Sequence, residues 1–359
     1  MSIEPTPAIR ALKRSVEDMR GRDRYVRLDR NERVTPFEAS EFSELLADLS
    51  PETFCAYPDP SLLLTRLSVQ CGVPESWIYL TNGSDAAIRK LFQTYLRPGD
   101  RVLLADPTYA MYPIYTQMFG GVSDAISYSP QRTLDHEAFA SRLRLGPRLA
   151  ALACPDQPTG SVLSLNELRV IATAAHAVQT LLIIDEAYYP FHPTTALDLV
   201  REFDNVVVTR TFSKVGGLAG LRLGYFIAQP PIPQDVDHVR GAHEVNAMAL
   251  HVGARILDHP EIGQAFVQRI EAGRAVLLDA AAAVGIHAPS CPANFQLLEL
   301  NVSLNPSRVV QELKDRGYLV KGGFTHPSVV HCIRVTLDGP DVMKGFVQAL
   351  REVVSRAVV

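Results

Sequence analysis

The chain has no run of eighteen or more apolar residues, so no helix capable of spanning a membrane is expected. Its five cysteines (Cys55, Cys71, Cys154, Cys291 and Cys332) are scattered and contain no CxxC pair. That argues against a disulfide frame or a cysteine zinc site and fits reduced thiols in the cytoplasm. The ten histidines are dispersed, and no metal is expected. A basic block is missing too. Lys and Arg number 35 against 39 Asp and Glu, a net charge of -4, and phosphate-neutralising clusters are absent, so nucleic acid is not an expected partner. Arg20, Arg22, Arg24, Arg27 and Arg30 are interrupted by Asp23 and Asp29 and read as a solvated arm. Ser2-Ile3-Glu4-Pro5 lacks the apolar core of a secretion signal, which makes a cytoplasmic location the expectation. No internal repeat or low-complexity tract is visible.

What is present is an ordinary globular composition, 47% hydrophobic and 21% charged, in a chain of 359 residues. That exceeds the usual reach of one hydrophobic core, and two domains are expected. Short apolar runs alternate with helical stretches. Arg101 to Ala105, Leu149 to Ala153, Leu181 to Ile184, Val206 to Val208 and Leu223 to Ala228 read as buried strands. Ile88, Leu91, Phe92, Tyr95 and Leu96 follow helical spacing up to Pro98-Gly99. The pattern predicts an α/β fold with a mostly parallel central sheet covered by helices. After about residue 245 a long helix (261–284), a strand (295–300), a helix (306–316), strands at 318–321 and 329–336 and a last helix from Pro340 predict a smaller α/β domain. The expected division is an N-terminal arm over 1–45 packing on the small domain, a large domain over 46–245 and the small domain over 246–359.

Ligands of such sheets sit beyond the carboxyl ends of the strands. Polar residues fall at those ends here: Asp156-Gln157, Asp185 and Lys214. Lys214 follows Thr211-Phe212-Ser213 and precedes a glycine-rich loop ending in Arg222. An amine holding an aldehyde cofactor, with hydroxyls and an arginine for its phosphate, suits this string. A solvated loop lysine is the ordinary alternative. Asp185 closes a buried strand, either as a turn residue or as the partner of a pyridinium nitrogen. Tyr188 lies three residues on. Gln157 sits in a rigid turn with two prolines and a glycine. Asn82-Gly83-Ser84-Asp85 opens a helix, as a cap or as a phosphate site. Tyr109 follows a strand end, where a ring stacks on a cofactor or fills the rim. Arg334, in an apolar strand, needs a partner: a structural carboxylate or that of a substrate.

Taken together the chain resembles the fold-type I pyridoxal-phosphate aminotransferases (class I/II), and within them the histidinol-phosphate aminotransferase branch. The resemblance runs from about Leu28 to the C-terminal helix. It rests on Asn31-Glu32, Ala56-Tyr57-Pro58-Asp59-Pro60, Asn82-Gly83-Ser84-Asp85, Pro107-Thr108-Tyr109, Pro158-Thr159-Gly160, Asp185-Glu186-Ala187-Tyr188, Thr211-Phe212-Ser213-Lys214, Ala219 to Gly224 and Arg334. It implies pyridoxal 5'-phosphate as cofactor, with Lys214 as the Schiff-base lysine and proton carrier. Asp185 would face the pyridinium nitrogen, Tyr188 and Gln157 the ring oxygen, and Tyr109 the ring face. Ser84, Asp85, Thr211, Ser213 and Arg222 would form the phosphate cup. Tyr57 would reach the cofactor of a neighbouring subunit, which implies a homodimer with shared active sites. Arg334, Asn31 and Lys321 would contact the substrate. The reaction implied moves an amino group from an amino-acid donor such as glutamate to a keto acceptor. A decarboxylase of the same fold, like the threonine-phosphate decarboxylases, is the alternative. Three positions depart from the family pattern: Gln157 replaces an asparagine, Ala86 an acidic residue, and Lys321 the arginine that grips the substrate phosphate in this branch.

Overall fold

The structure is a computed structural model describing residues 3–13 and 19–356. Residues 1, 2 and 14–18 of the expected arm and 357–359 of the expected small domain lie outside the described residues.

The centre is a seven-stranded sheet of β2 (Ile78–Thr81), β3 (Arg101–Asp106), β4 (Val122–Ser127), β5 (Leu149–Ala153), β6 (Leu181–Asp185), β7 (Val206–Thr211) and β8 (Gly224–Ala228). β1 (Val26–Leu28) lies outside it. The strand order is β2-β8-β7-β6-β5-β3-β4, with β3 to β7 parallel and β8 antiparallel to both its neighbours. β6 is buried at all five positions and β7 at its first five, as continuous apolar runs require when both faces are covered. β4, at the edge, has no fully buried residue. That is why its sequence carries no apolar run and gives no strong strand signal.

Eight helices matter for the site: α1 (Ala39–Leu46), α2 (Ser61–Cys71), α3 (Ser84–Tyr95), α4 (Met111–Met118), α5 (Ala247–Asp258), α6 (Pro260–Ala283), α7 (Pro306–Asp315) and α8 (Pro340–Arg356). α3 and α4 cover one face of the sheet, where Ile88, Leu91 and Phe92 meet Val207 and Phe226. α2 and α5 cover the other, with Leu63, Leu67, Ala249 and Leu250 against Val206, Val208 and Ile227.

A second core surrounds β9 (Phe295–Glu299), β10 (Tyr318–Val320) and β11 (Cys332–Thr336). β11 pairs antiparallel with β9, and β1 runs parallel to β10. Phe266 and Ile270 of α6, Leu313 of α7 and Phe346 of α8 pack there with Phe295 and Ile333. The arm and the link between the two cores are each divided by the packing. β1 joins the second core, whereas Leu45 of α1 and most of α5 belong to the first.

The expected strand over 329–336 begins only at Cys332. His326 Nδ1 meets Ser328 Oγ at 2.8 Å, and Val329 N–H donates to the His326 carbonyl at 3.0 Å. A local turn therefore takes up the backbone groups that a strand would have offered to a neighbour.

Candidate active site

Three strand ends build one wall. Thr81 at the end of β2 is opposite Gly224 at the start of β8, and Gly224 is opposite Thr211 at the end of β7. Position 224 has no room for a side chain, since a Cβ would lie 2.4 Å from Ser84 N and 2.9 Å from the Arg210 carbonyl. The start of α3 is thereby seated on the sheet beside Thr211. Gly83, at φ +87°, precedes that helix, and a Cβ there would come within 2.8 Å of Arg222 Nη2. No side chain caps α3. The first N–H groups of a helix lack intrahelical acceptors and carry the positive end of its dipole. Ser213 completes the group, accepting its place from Thr211: Thr211 Oγ1 lies 3.0 Å from Ser213 Oγ and 3.1 Å from Ser213 N. Ser84, Thr211, Ser213 and Arg222 thus gather hydroxyls and a guanidinium around an uncapped helix start.

Asp85 sits at the same turn, but both its carboxylate oxygens are taken. Tyr109 donates to one at 3.1 Å and Tyr115 to the other at 2.8 Å. A carboxylate repels an anion, so Asp85 offers the cup only its backbone N–H. Its side chain fixes the Tyr109 ring instead.

Asp185 closes β6 and is buried. Thr209 donates to Oδ1 at 2.8 Å and Tyr112 to Oδ2 at 3.0 Å. Burial pushes its pKa up to about 6 despite these two donors. A buried carboxylate held this way lacks only a cation.

Lys214 points into the same cleft. Its Nζ donates to the Arg30 carbonyl at 3.1 Å and lies 5.9 Å from the centre of the Tyr188 ring. Burial, then the nearby positive charges of Arg334 and Arg222, lower its pKa to about 8, while Glu32 and Asp185 act in the opposite direction. Tyr188 accepts a hydrogen bond from Asn31 Nδ2 at 2.8 Å. Asn31 is buried at φ +56°, its N–H donating to Thr336 Oγ1 and its carbonyl accepting from Asn294. The segment Asp29 to Asn31 is a strap over the cleft, and Arg334 also holds it, donating to the Asp29 carbonyl at 2.6 Å.

The strap corrects the reading of the basic arm as solvated. Arg22 Nη2 reaches Asp29 Oδ1 at 2.6 Å and Glu32 Oε1 at 2.9 Å with its side chain only 12% exposed. Arg22, Arg27 and Arg30 pair with Asp29 and Glu32 at the strap, while Arg20, Asp23 and Arg24 do face water.

Lys321 and Arg334 are cross-strand neighbours, joined by two backbone hydrogen bonds of 3.0 and 2.7 Å. Gln157 is half-buried in its turn, between Asp156 and a cis proline. Tyr57 stands apart from all of these. It is 81% exposed and stacks on His243 at 4.3 Å.

The model of the family described as aminotransferase class I and II matches residues 68–350. This chain belongs to that family. It is similar to the histidinol-phosphate aminotransferase of Symbiobacterium thermophilum, 32% identical over 94% of this chain and 93% of that one. It is also similar to histidinol-phosphate aminotransferase 1 of Carboxydothermus hydrogenoformans, at 30% over 91% and 93%. Among solved structures, the histidinol-phosphate aminotransferase of Sinorhizobium meliloti, determined in complex with pyridoxal-5'-phosphate, superposes with a TM-score of 0.89 over 100% of this chain and 99% of that one. At 24% identity that likeness shows the fold. The expected class of enzyme, a pyridoxal-phosphate-dependent aminotransferase on an α/β fold of type I, stands.

Several groups of the aminotransferase site were not singled out from its sequence. Thr209 had a signal: in β7, Thr209 and Thr211 are two apart and share a face, which is unexpected in an apolar strand unless that face meets a polar group. Tyr109, Tyr112 and Tyr115 recur every third residue, the spacing of one helical face. Asp156 was noticed only as a strand-end residue. It is fully buried and accepts from Thr108 Oγ1 at 2.9 Å, Thr159 Oγ1 at 2.7 Å and Thr159 N at 3.2 Å. It ties the loop bearing Tyr109 to the loop bearing Gln157.

Proposed function

We propose that this aminotransferase works on the pattern of the histidinol-phosphate aminotransferases, taking an amino group from a donor such as glutamate and passing it to a keto acceptor. The observation that carries the reading is the presence of a half-buried lysine and a buried aspartate in one cleft beside an uncapped helix start. The residues fit pyridoxal 5'-phosphate. Only donors face the anion position: the Ser84, Thr211 and Ser213 hydroxyls, the N–H groups of Ser84 and Asp85, and Arg222. Asp185, desolvated and held by two hydroxyls, matches a pyridinium N–H. Bound there, the cofactor supplies an electrophilic aldehyde and an electron sink for the substrate Cα–H bond.

The protein does the rest. Lys214 Nζ, once released from the cofactor, takes the proton from the substrate α carbon and returns one to the cofactor side. Its depressed pKa favours the free amine that this task needs. Asp185 keeps the pyridine nitrogen protonated. Tyr109, fixed by Asp85, would meet the ring face, and Tyr188 and Gln157 would meet the ring oxygen. Asn31 orients Tyr188. Arg334 holds the substrate carboxylate with a planar fork. Lys321, beside it, offers a point charge to a distal anionic group without the bidentate grip of an arginine.

The same reading makes the enzyme a cytoplasmic homodimer with Tyr57 completing the partner's cup. Exposed Phe54, Tyr57, Leu62 and Val69 on one stretch of chain support an interface there. We place the changeover between large and small domains at the start of α6, where the packing passes from the first core to the second. The deciding experiment is an acceptor screen with glutamate as donor, including phosphorylated ketones, with carbon dioxide measured in parallel. Keto-acid formation supports the reading. Carbon dioxide release without keto acid overturns it in favour of a decarboxylase.

A further inference from the structure

Tyr57 and His243 lie on two separate surface loops, both exposed, with ring centroids 4.3 Å apart and planes within 17° of parallel. Stacking of this kind holds a ring in one orientation. The Tyr57 backbone is already stiff. A residue before a proline is confined to extended conformations, and Tyr57 stands before Pro58. Asp59 Oδ1 then accepts from Ser61 N–H at 2.9 Å and from Ser61 Oγ at 2.6 Å, which fixes the segment to the start of α2. The side-chain torsions are the freedom left to Tyr57, and the His243 ring restricts them.

His243 is itself held in a frame. It sits at φ +51°, in the left-handed region that few residues with a Cβ adopt. Glu244 Oε1 accepts from Gly241 N–H at 2.6 Å and from Lys90 Nζ at 2.7 Å, and Lys90 Nζ also donates to the Val239 carbonyl at 3.3 Å. On the other side Val245 is buried, and Asn246 Oδ1 caps α5 by accepting from Ala249 N–H at 2.8 Å. Lys90 is 7% exposed and belongs to α3, the helix whose start lies in the anion cup. The His243 platform is therefore tied, through Glu244 and Lys90, to the helix that opens at the cup. Two rings that only shield each other from water need no such fixed frame on both sides.

We propose that His243 is a positioning residue that holds the Tyr57 hydroxyl at the cofactor phosphate of the neighbouring subunit. The proposal rests on the dimer reading above, in which Tyr57 completes the partner's cup. In a two-fold dimer the arrangement is reciprocal. Each α3 opens at its own cup and, through Lys90, Glu244 and His243, aims the tyrosine that serves the other.

The test follows release of the cofactor from the holoenzyme on dilution, read as loss of its visible absorbance. Tyr57→Phe removes the hydroxyl and keeps the ring. His243→Asn removes the platform and keeps a residue that tolerates a positive φ. Each variant is expected to release the cofactor roughly three- to tenfold faster than wild type, the range that a lost stack or hydrogen bond gives. Adding His243→Asn to Tyr57→Phe is expected to change nothing further, because the platform acts through the hydroxyl. In mixed dimers of Lys214→Ala and His243→Asn chains, the lysine-bearing site meets an intact pair of Tyr57 and His243 from the other chain, and release is expected at the wild-type rate. Unchanged release in Tyr57→Phe would overturn the dimer reading and this proposal with it. Faster release in Tyr57→Phe but not in His243→Asn would overturn this proposal alone. So would an equal effect of His243→Asn in both backgrounds, or mixed dimers that lose cofactor as fast as His243→Asn homodimers.

Discussion

Tyr112, with no exposed surface, donates its phenolic proton to Asp185 Oδ2 across 3.0 Å. The aspartate is also held by the Thr209 hydroxyl and by the Ala187 backbone N–H. Hydrogen bonds to a charged group contribute about 1.5–3 kcal/mol. Tyr112→Phe is therefore expected to weaken cofactor binding roughly tenfold or more, because the carboxylate proposed to meet the pyridinium loses one of its two hydroxyl donors. A spectroscopic titration of the cofactor-free protein measures this, and an unchanged dissociation constant would show that Tyr112 is packing only.

The Arg222 guanidinium lies over Gly83 at the start of α3 and donates to the Ala219 carbonyl at 3.3 Å, and in the proposed reading it meets the cofactor phosphate. Arg222→Gln is expected to lower affinity for pyridoxal 5'-phosphate by roughly ten- to a hundredfold, in line with the loss of one charged hydrogen-bond partner. Affinity for pyridoxal, which has no phosphate, is expected to stay as it is. Comparing the two dissociation constants separates a lost phosphate contact from a damaged fold.

Lys214 has its pKa lowered to about 8, first by burial and then by Arg334 and Arg222. Only the neutral amine attacks an aldehyde. At pH 7 a group with this pKa is roughly one-tenth neutral, against roughly three parts in ten thousand for an ordinary lysine. The rate of cofactor capture by the cofactor-free protein is expected to rise with pH and level off above about 8. Stopped-flow absorbance across pH 6 to 10 reads the midpoint, and one near 10.5 would contradict the buried setting of the amine.

Asp156 has a pKa raised by burial to about 6, against 3.8 for the free side chain, with the Thr159 and Thr108 hydrogen bonds opposing the rise. Between those values the folded protein binds more protons than the unfolded one. Its contribution is thus favourable at low pH and is lost as pH rises through about 6. The wild type minus Asp156→Asn difference in Tm, measured on cofactor-free protein, is expected to fall from pH 4 to pH 7 and then flatten. A difference that grows with pH would reverse the sign.

Much of this site is legible in the sequence because its chief residues sit where an apolar strand stops. Asp185 is the first polar group after a continuous apolar run, and Lys214 lies in the loop that follows β7, so strand burial itself points to that end of the sheet. Groups that act through a partner are harder to see. Asp156 meets Thr108 across 48 positions, and only the parallel pairing of β3 with β5 brings their loops together. Asp85 looks like part of an anion cup until Tyr109 and Tyr115 are seen to occupy its oxygens. Val329 and Val330 resemble the start of a strand, yet a two-residue polar turn at His326 and Ser328 decides their backbone. Arg22 appears solvated because its partners Asp29 and Glu32 lie around a bend.

The three side-by-side positions Thr81, Gly224 and Thr211 also make the helix start at Ser84 depend on one arrangement of strands. β8 lies between β2 and β7 in the sheet, although β2 precedes β7 by more than a hundred residues in the chain. Until β8 is inserted, Gly224 is not in place to seat Ser84 beside Thr211, although α3 still packs on Val207 of β7. A chain arrested at that stage already carries Lys214 and Asp185 on neighbouring strand ends but has nowhere to seat a phosphate. Tight cofactor uptake is therefore a report that β8 has paired with both β2 and β7.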